Sequence, residues 1–120
     1  MTKEELNDFK KNAIRQYRTK FYDRQGNQID LWEWEAKAAD GTYKVLKQEQ
    51  VGPYFVSTVW VGIAMNCWFD SSADDVPPIF ETMIFCDDMQ DDLYCHMDRY
   101  SSQEEALIGH EKFVALAKGE

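Results

Sequence analysis

The side chains that could ligate a soft metal ion are few in this sequence, and their spacing fits no zinc pattern. They are Cys86, Cys95, His96 and His110. Cys95 and His96 are adjacent, and neighbours in a strand point to opposite faces, so they cannot easily share one ion. The acidic segment 87–92 carries four carboxylates but lacks the D-x-D-x-D-G spacing and distal glutamate of a calcium loop. The sequence therefore predicts no metal and no other cofactor.

A catalytic nucleophile is also missing from the sequence patterns. No G-x-S-x-G or comparable elbow occurs. His110 lies on the apolar stripe of a predicted helix, which is typical of a packed, hydrogen-bonded histidine and not of a general base. Glu81 stands among apolar residues of a predicted strand, where an unpaired charge is costly, so we expect it to pair with Arg99 on a nearby strand. These patterns indicate that the protein is not an enzyme.

Aromatic residues on predicted strands, with arginines nearby, are the remaining candidates for chemistry. Neither a G-x-G-x-x-G motif nor a P-loop is present. The aromatic candidates for stacking a base are Trp60, Phe85 and Tyr100. The arginine candidates for binding phosphate are Arg18, Arg24 and Arg99. Any aromatic-rich sheet shows this pattern, so these residues alone do not distinguish a nucleotide site from a packed core.

Charge and cysteine content narrow the classes of partner. The chain has 22 acidic and 13 basic residues, a net charge of −9, whereas a nucleic-acid binder needs a basic surface. An anionic small ligand would therefore need a local arginine pocket. Three cysteines without a C-x-x-C motif argue against a disulfide framework and fit a reducing cytoplasm. We expect no nucleic-acid partner, no signal peptide and no membrane span.

The predicted elements that must position these residues form an antiparallel sheet with helices packed on it. Segment 54–65 is uncharged and rich in β-branched and aromatic residues, which predicts one long central strand. Segment 79–86 is its expected neighbour, 93–100 should lie further out, and 43–51 reads as an edge strand. The 120 residues suffice for one core, so the fold class is α+β, with a small single domain over 1–120.

Capping patterns predict three helices. Thr2 and Glu5 resemble a capping box for a helix over 2–15. Asp30 should begin a helix over 31–39 that Gly41 ends in the left-handed conformation. The third helix, 102–117, begins at Ser101 or Ser102 and covers one sheet face with its apolar stripe. The remaining predicted segments are a strand over 16–22, a turn over 23–27, a short return over 28–29 and a loop over 66–78.

Four motifs of this chain resemble one family of small phage proteins. Residues 56–63 read V-S-T-V-W-V-G-I, and 77–85 read P-P-I-F-E-T-M-I-F. Residues 98–101 read D-R-Y-S, and 105–111 read E-A-L-I-G-H-E. On these motifs the chain is similar to the first-described phage Thoeris anti-defence family. Those proteins are sponges, which bind cyclic ADP-ribose isomers such as glyco-cyclic ADP-ribose and hold them without cleavage.

The resemblance implies a ligand site, an assembly and a location. Trp60 and Phe85 would form the walls around the base, and Arg99 would meet the pyrophosphate. Arg18 is a looser match to a second arginine, and Asn66 could substitute for an Asp-His pair that this chain lacks. The family is oligomeric and works in the host bacterial cytoplasm. We therefore expect a homodimer or higher homo-oligomer, which the four tryptophans, many for one small core, also favour.

Two other functions remain open at this point. The first is a phage-encoded inhibitor that binds a host defence protein and imitates nucleic acid with its acidic loops. The aspartates that favour it are Asp70, Asp74, Asp75, Asp87, Asp88, Asp91 and Asp92. The second is an enzyme that cleaves the same cyclic nucleotides.

Overall fold

The computed structural model describes residues 2–8, 19–65 and 77–120. In this part of the chain the fold consists of short strands and helices. The strands of the described part are β1 (Thr19–Tyr22), β2 (Gln28–Ile29), β3 (Val45–Val51), β4 (Tyr54–Trp60), β5 (Ile63–Met65), β6 (Phe80–Phe85) and β7 (Met97–Tyr100). Its helices are α1 (residues 3–8), α2 (Leu31–Ala38), α3 (Gly41–Lys44) and α4 (Gln103–Ala117). The α+β class predicted from the sequence is confirmed.

The apolar strands β4 and β6 pair antiparallel at the centre of a four-stranded sheet, whose order is β3-β4-β6-β7. Val56 lies opposite Ile84, and Trp60 lies opposite Phe80. The outer strands β3 and β7 are the more polar ones, as an edge position allows. The predicted pairing of the central strand with 79–86 and the edge position of β3 are both confirmed.

The predicted single strand over 54–65 is wrong, because the chain leaves the sheet after Trp60. Gly62 has φ 69°, and a Cβ at this position would overlap the Trp60 indole and lie 2.8 Å from the Tyr22 carbonyl oxygen. Only glycine fits such a left-handed, crowded position. Beyond it, β5 pairs with β1 in a second sheet of order β2-β1-β5.

Helix α4 covers one face of the four-stranded sheet, as predicted. Ser102 begins it, since its Oγ accepts the Glu105 backbone N–H at 3.1 Å, a cap contributing about 1 kcal/mol. The helix contributes Phe113 and Val114 to one apolar cluster, together with Val56 and Ile84 of the sheet. It contributes Ala106 to a second cluster, together with Trp60, Ile79 and Phe80. Gly109 lets the Tyr100 ring approach the helix closely, because any Cβ there would collide with that ring.

Two tryptophan indoles join the smaller sheet and α2 to the main sheet. Trp60 Nε1 donates to the Tyr22 carbonyl at 2.9 Å, and Trp34 Nε1 donates to the Val61 carbonyl at 3.0 Å. The Trp34 ring also packs on Phe21, with ring centroids 5.2 Å apart. These bonds satisfy the indole donors while their rings fill the core, which is the usual arrangement for buried tryptophan.

Two local predictions are confirmed and one is corrected. Asp30 begins α2 by accepting the Glu33 N–H at 2.8 Å, and Thr2 with Glu5 forms the capping box of α1. Gly41 does not end α2, however, because Asp40 accepts the Thr42 N–H at 3.0 Å and begins α3 instead. The predicted segments 9–15 and 16–18 and most of the loop, 66–76, lie outside the described residues.

The segment 93–100, predicted as a strand, is one only from Met97 onward. The His96 N–H donates to the Leu93 carbonyl at 3.0 Å, which closes a turn, and Cys95 within it has φ 57°. The assumption that Cys95 and His96 alternate along a strand is therefore wrong. None of the described helices is long and apolar enough to span a bilayer.

Candidate functional site

The four-stranded sheet has a second face, opposite α4, that carries two of the predicted ligand residues. Along β6 the side chains alternate between the buried face toward α4 and this second face. The strand registers bring side chains of β4, β6 and β7 together on it. We call it the Phe85 face, and its members are Phe55, Ser57, Val59, Glu81, Met83, Phe85, Met97 and Arg99.

One end of the Phe85 face is aromatic and apolar. Phe55 and Phe85 lie opposite each other, with ring centroids 6.5 Å apart and a tilt of 46°. Phe85 is 48% exposed and Met97 is 44% exposed, whereas Phe55 and Met83 are half-buried. A half-exposed phenyl ring beside sulfur-containing side chains can stack on a planar ligand such as a nucleobase.

The other end of the face carries an ion pair. Arg99 lies directly opposite Glu81, and its Nη2 is 3.2 Å from Glu81 Oε2, so the predicted pairing is confirmed. The Arg99 side chain is 51% exposed, and such pairs contribute at most about 1 kcal/mol to stability. Since a guanidinium has five N–H donors, Arg99 can keep Glu81 and still donate to a phosphate oxygen.

The aromatic end and the ion pair lie at different points along β6. Glu81 and Phe85 are four residues apart on β6, which separates their Cα atoms by about 13 Å. The Arg99 side chain extends from the position opposite Glu81. A ligand with a base on Phe85 and a pyrophosphate at Arg99 would thus lie along β6.

Trp60 does not share this site. Its side chain is fully buried against α4, opposite Phe80, and its ring lies edge-on to Tyr43 with centroids 5.0 Å apart. Phe85, by contrast, is on the other face and at the other end of the strand pair. The expectation that Trp60 and Phe85 form the walls around one base is therefore corrected for this chain, because Trp60 is a core residue.

The other arginine and asparagine candidates fall elsewhere. Arg18 and Asn66 lie outside the described residues. Arg24 uses its donors within the fold, with Nε donating to Gln103 Oε1 at 3.0 Å and Nη1 donating to the Tyr43 carbonyl at 3.1 Å. Its backbone N–H also donates to the Tyr43 hydroxyl at 2.7 Å. Arg24 therefore joins α3 to the start of α4.

A chain of buried polar groups crosses the interface between the sheet and α4. Thr58 Oγ1 is 2.6 Å from Thr82 Oγ1 and 2.7 Å from His110 Nδ1, and His110 Nε2 is 2.9 Å from Glu49 Oε1. The hydroxyl, imidazole and carboxylate follow the order of a hydrolase triad. Thr58 and His110 are fully buried, however, so no substrate reaches them without opening this interface. The prediction of a packed, hydrogen-bonded His110 is confirmed.

In the described part of the chain, one group of side chains has the proximity of metal ligands. Donor atoms of Glu49, His110 and Glu111 lie within 4.8 Å of one another. Lys47 Nζ already lies among them, donating to Glu111 Oε1 at 2.6 Å and lying 3.8 Å from Glu49 Oε1. That hydrogen bond raises the pKa of Lys47 and lowers that of Glu111. The ammonium thus supplies the positive charge these carboxylates need.

A cleft of about 260 Å³ lies between β7 and α4. Its lining residues are Asp98, Tyr100, Glu105, Ile108, Gly109, Lys112 and Phe113. Of the aromatic candidates from the sequence, Tyr100 lines it. Phe85 and Arg99 do not, so the cleft and the Phe85 face are separate features.

No protein-family model, curated protein or solved structure matches the chain. The evidence for a function of the Phe85 face, or of the face toward α4, therefore comes from their own side chains.

Several residues of the Phe85 face and of the sheet face toward α4 were not predicted from the sequence. Met83 could have been found, because it stands two positions before Phe85 on the same strand and so shares its face. Phe55 and Met97 depend on the register of neighbouring strands, which the sequence leaves open. Thr58 and Glu49 carry only a faint signal, as polar residues on strands that contact a helix.

Proposed function

We propose that the protein is a phage anti-defence sponge that binds glyco-cyclic ADP-ribose or a related cyclic ADP-ribose isomer without cleaving it. Sequestering this signal in the host bacterial cytoplasm would block Thoeris immunity. The observation that carries the proposal is the presence of Phe85 and Arg99 on one sheet face. Phe85 supplies a half-exposed ring for the base, and Arg99 supplies forked donors for the pyrophosphate.

Charge and accessibility support binding without catalysis. The chain has a net charge of −9, so an anionic ligand depends on a local cation such as Arg99. The hydroxyl–imidazole–carboxylate series in the described part is closed off under α4. A sponge must hold its ligand tightly and has no need of a nucleophile.

We further propose that the protein acts as a homodimer or higher homo-oligomer. Away from the Phe85 face, Trp32 is 39% exposed, and Ile108 and Leu116 on α4 are 53% and 40% exposed. Covering such side chains with a second copy would remove apolar area from water, at about 25 cal/mol per Å². Light scattering at micromolar concentration tests the assembly, and a species of 14.1 kDa alone would contradict it.

Release of intact ligand is the experiment that separates the functions. The protein is incubated with glyco-cyclic ADP-ribose, washed free of unbound ligand, and then denatured by heat. A sponge releases the unchanged compound in proportion to protein. An enzyme yields a new product during incubation, and a protein that binds only a host protein retains nothing after washing.

An inhibitor of a host protein is the second candidate, and the acidic loop favours it. Asp87, Asp88 and Asp92 are exposed, and Met89 between them is 70% exposed. Asp91 holds the loop by accepting the Tyr54 hydroxyl at 2.6 Å. An ordered acidic loop with an apolar tip suits a basic protein surface. Co-purification of a host defence protein with the wild type, lost on replacing the three exposed aspartates by asparagine, would support this candidate over the sponge.

A further inference from the structure

Two cysteines flank the acidic loop at the end of the Phe85 face. Cys86 directly follows β6 and is half-buried, and Cys95 lies two residues before β7 and is exposed. Both are free thiols. The loop between them joins β6 to the edge strand β7, so each cysteine lies within two residues of a strand.

The strand register brings the two cysteines close together. The last pair of the ladder is Met83 with Met97, and the Ile84 N–H extends it by donating to the His96 carbonyl at 2.9 Å. Cys86 lies two residues after Ile84 and Cys95 lies one residue before His96, so both thiols lie at this end of the hairpin, and the charge of Cys95 contributes to the raised pKa of Cys86. A disulfide requires Cα atoms about 4.4–6.8 Å apart, a range that includes neighbours across an antiparallel pair of strands.

The backbone at Cys95 turns its side chain out of the ordinary strand alternation. Its φ of 57° is left-handed, a conformation that residues other than glycine rarely adopt. The turn that holds it is closed by the His96 N–H on the Leu93 carbonyl at 3.0 Å. In a regular strand Cys86 and Cys95 would point to opposite faces, but Cys95 lies in this turn, so the strand alternation does not apply to it.

The pKa of the Tyr94 hydroxyl is affected by both sulfur atoms, which indicates that both lie near it. Its pKa is raised by the charge of Cys95 and by their hydrogen bond, and to a smaller extent by burial and by the charge of Cys86. The pKa of Cys86 is raised, chiefly by burial and by the charge of Asp91. Cys95 is exposed and Cys86 is half-buried, so Cys95 is the more accessible thiol.

We propose that Cys86 and Cys95 form a reversible disulfide on reaction with a low-molecular-weight disulfide such as oxidised glutathione. The Cys95 thiolate attacks one glutathione sulfur, forms a mixed disulfide and releases one glutathione. Cys86 then loses its proton and attacks the Cys95 sulfur, which releases the second glutathione. In total, two protein thiols are oxidised to one disulfide, and one oxidised glutathione is reduced to two thiols. The bond would fix the end of β6 next to Phe85.

The test uses the full chain with Cys67 replaced by serine, so that two cysteines remain. It is treated with oxidised glutathione, and its intact mass and disulfide-linked peptides are measured. We expect a loss of two hydrogens and a peptide joining Cys86 to Cys95. The controls, Cys86→Ser and Cys95→Ser in the same background, should each retain one glutathione on the remaining thiol, more slowly in Cys95→Ser. Ring closure should be at least about tenfold faster in the folded chain than in urea.

Three results would overturn the proposal. They are glutathione persisting on the two-cysteine protein, a disulfide between two chains, and thiols that stay free in the folded protein although they react in urea. If Cys67→Ser does not fold by circular dichroism, Cys67→Ala serves as the background.

Discussion

The two faces of the four-stranded sheet are built from the same strands and meet opposite demands. Toward α4, Trp60, Phe80 and Ile84 are fully buried, and the polar groups among them are hydrogen-bonded. On the other face, Phe85 stays half-exposed and Arg99 shares its charge with Glu81. Trp60 and Phe85 are both aromatic residues on central strands, so the face to which each points decides its role, and the residue type does not.

The largest expected effect is a loss of stability from a change on the sheet face that packs against α4, called the α4 face. Trp60→Ala should lower the free energy of unfolding by about 3–5 kcal/mol, because it leaves a cavity and removes the hydrogen bond to Tyr22. Phe85→Ala should cost less than about 1.5 kcal/mol, since half of that ring is already in water. Chemical denaturation measures both. Equal losses would contradict the distinction between the two faces.

Arg99 tests the Phe85 face by affinity. On the proposed function, Arg99→Ala should weaken binding of a cyclic ADP-ribose isomer by about 1.5–3 kcal/mol, the value of a charge-assisted hydrogen bond. Arg99→Lys should restore only part of it, because an ammonium lacks the planar fork. Calorimetric titration measures the affinity. The alternative role, pairing with Glu81 only, predicts unchanged affinity in the folded variant.

Thr58 tests whether the buried hydrogen bonds on the α4 face stabilise the fold. Thr58→Val keeps the shape of the side chain but leaves His110 Nδ1 and Thr82 Oγ1 without this partner, which should cost about 1–3 kcal/mol. The matched control is Thr42→Val, at an exposed position, which should change stability by less than about 0.5 kcal/mol. Denaturation curves that do not separate the two variants would show that the buried polar chain is dispensable.

The smallest expected effect is a change of stability with pH, through the hydrogen bond between Tyr54 and Asp91 of the acidic loop. The hydrogen bond to Asp91 raises the pKa of Tyr54 to about 12. A raised pKa means that this contribution to stability is complete below the ordinary value of 10.0 and is lost as pH rises through about 12. The same bond lowers the pKa of Asp91, whose contribution is lost only as pH falls through that lowered value.

Ultraviolet titration of the tyrosines checks this assignment. One tyrosine should ionise near pH 12 in the wild type, and Asp91→Asn should move it toward 10.0. Tyr54→Phe should remove it altogether. A tyrosine that still ionises near pH 12 in Tyr54→Phe would contradict the assignment.

Much of the fold follows from local signals in the sequence. The uncharged run at β4, the apolar run at β6 and the serine before α4 each predict their element, because burial and capping act over a few residues. The Glu81–Arg99 pair was also predictable, since a charge in an apolar strand requires a partner. These signals gave the α+β class and one end of the Phe85 face.

The features that escaped prediction depend on contacts distant in sequence. Gly62 ends β4 because the Trp60 indole and the Tyr22 carbonyl leave no room for a Cβ, and neither contact is visible locally. The face of Trp60 depends on where α4 packs, since both alternating sets of β4 are apolar. Gly41 resembled a helix end, but Asp40 beside it begins a new helix.

The most direct test of the central claim is a calorimetric titration of glyco-cyclic ADP-ribose into the wild type and into folded Phe85→Ala. The account predicts saturable, stoichiometric binding to the wild type. It also predicts a loss of about 1–3 kcal/mol in Phe85→Ala, the value of one stacked base. Absence of binding to the wild type would contradict the proposed function, and equal affinity of the two proteins would contradict the Phe85 face as its site.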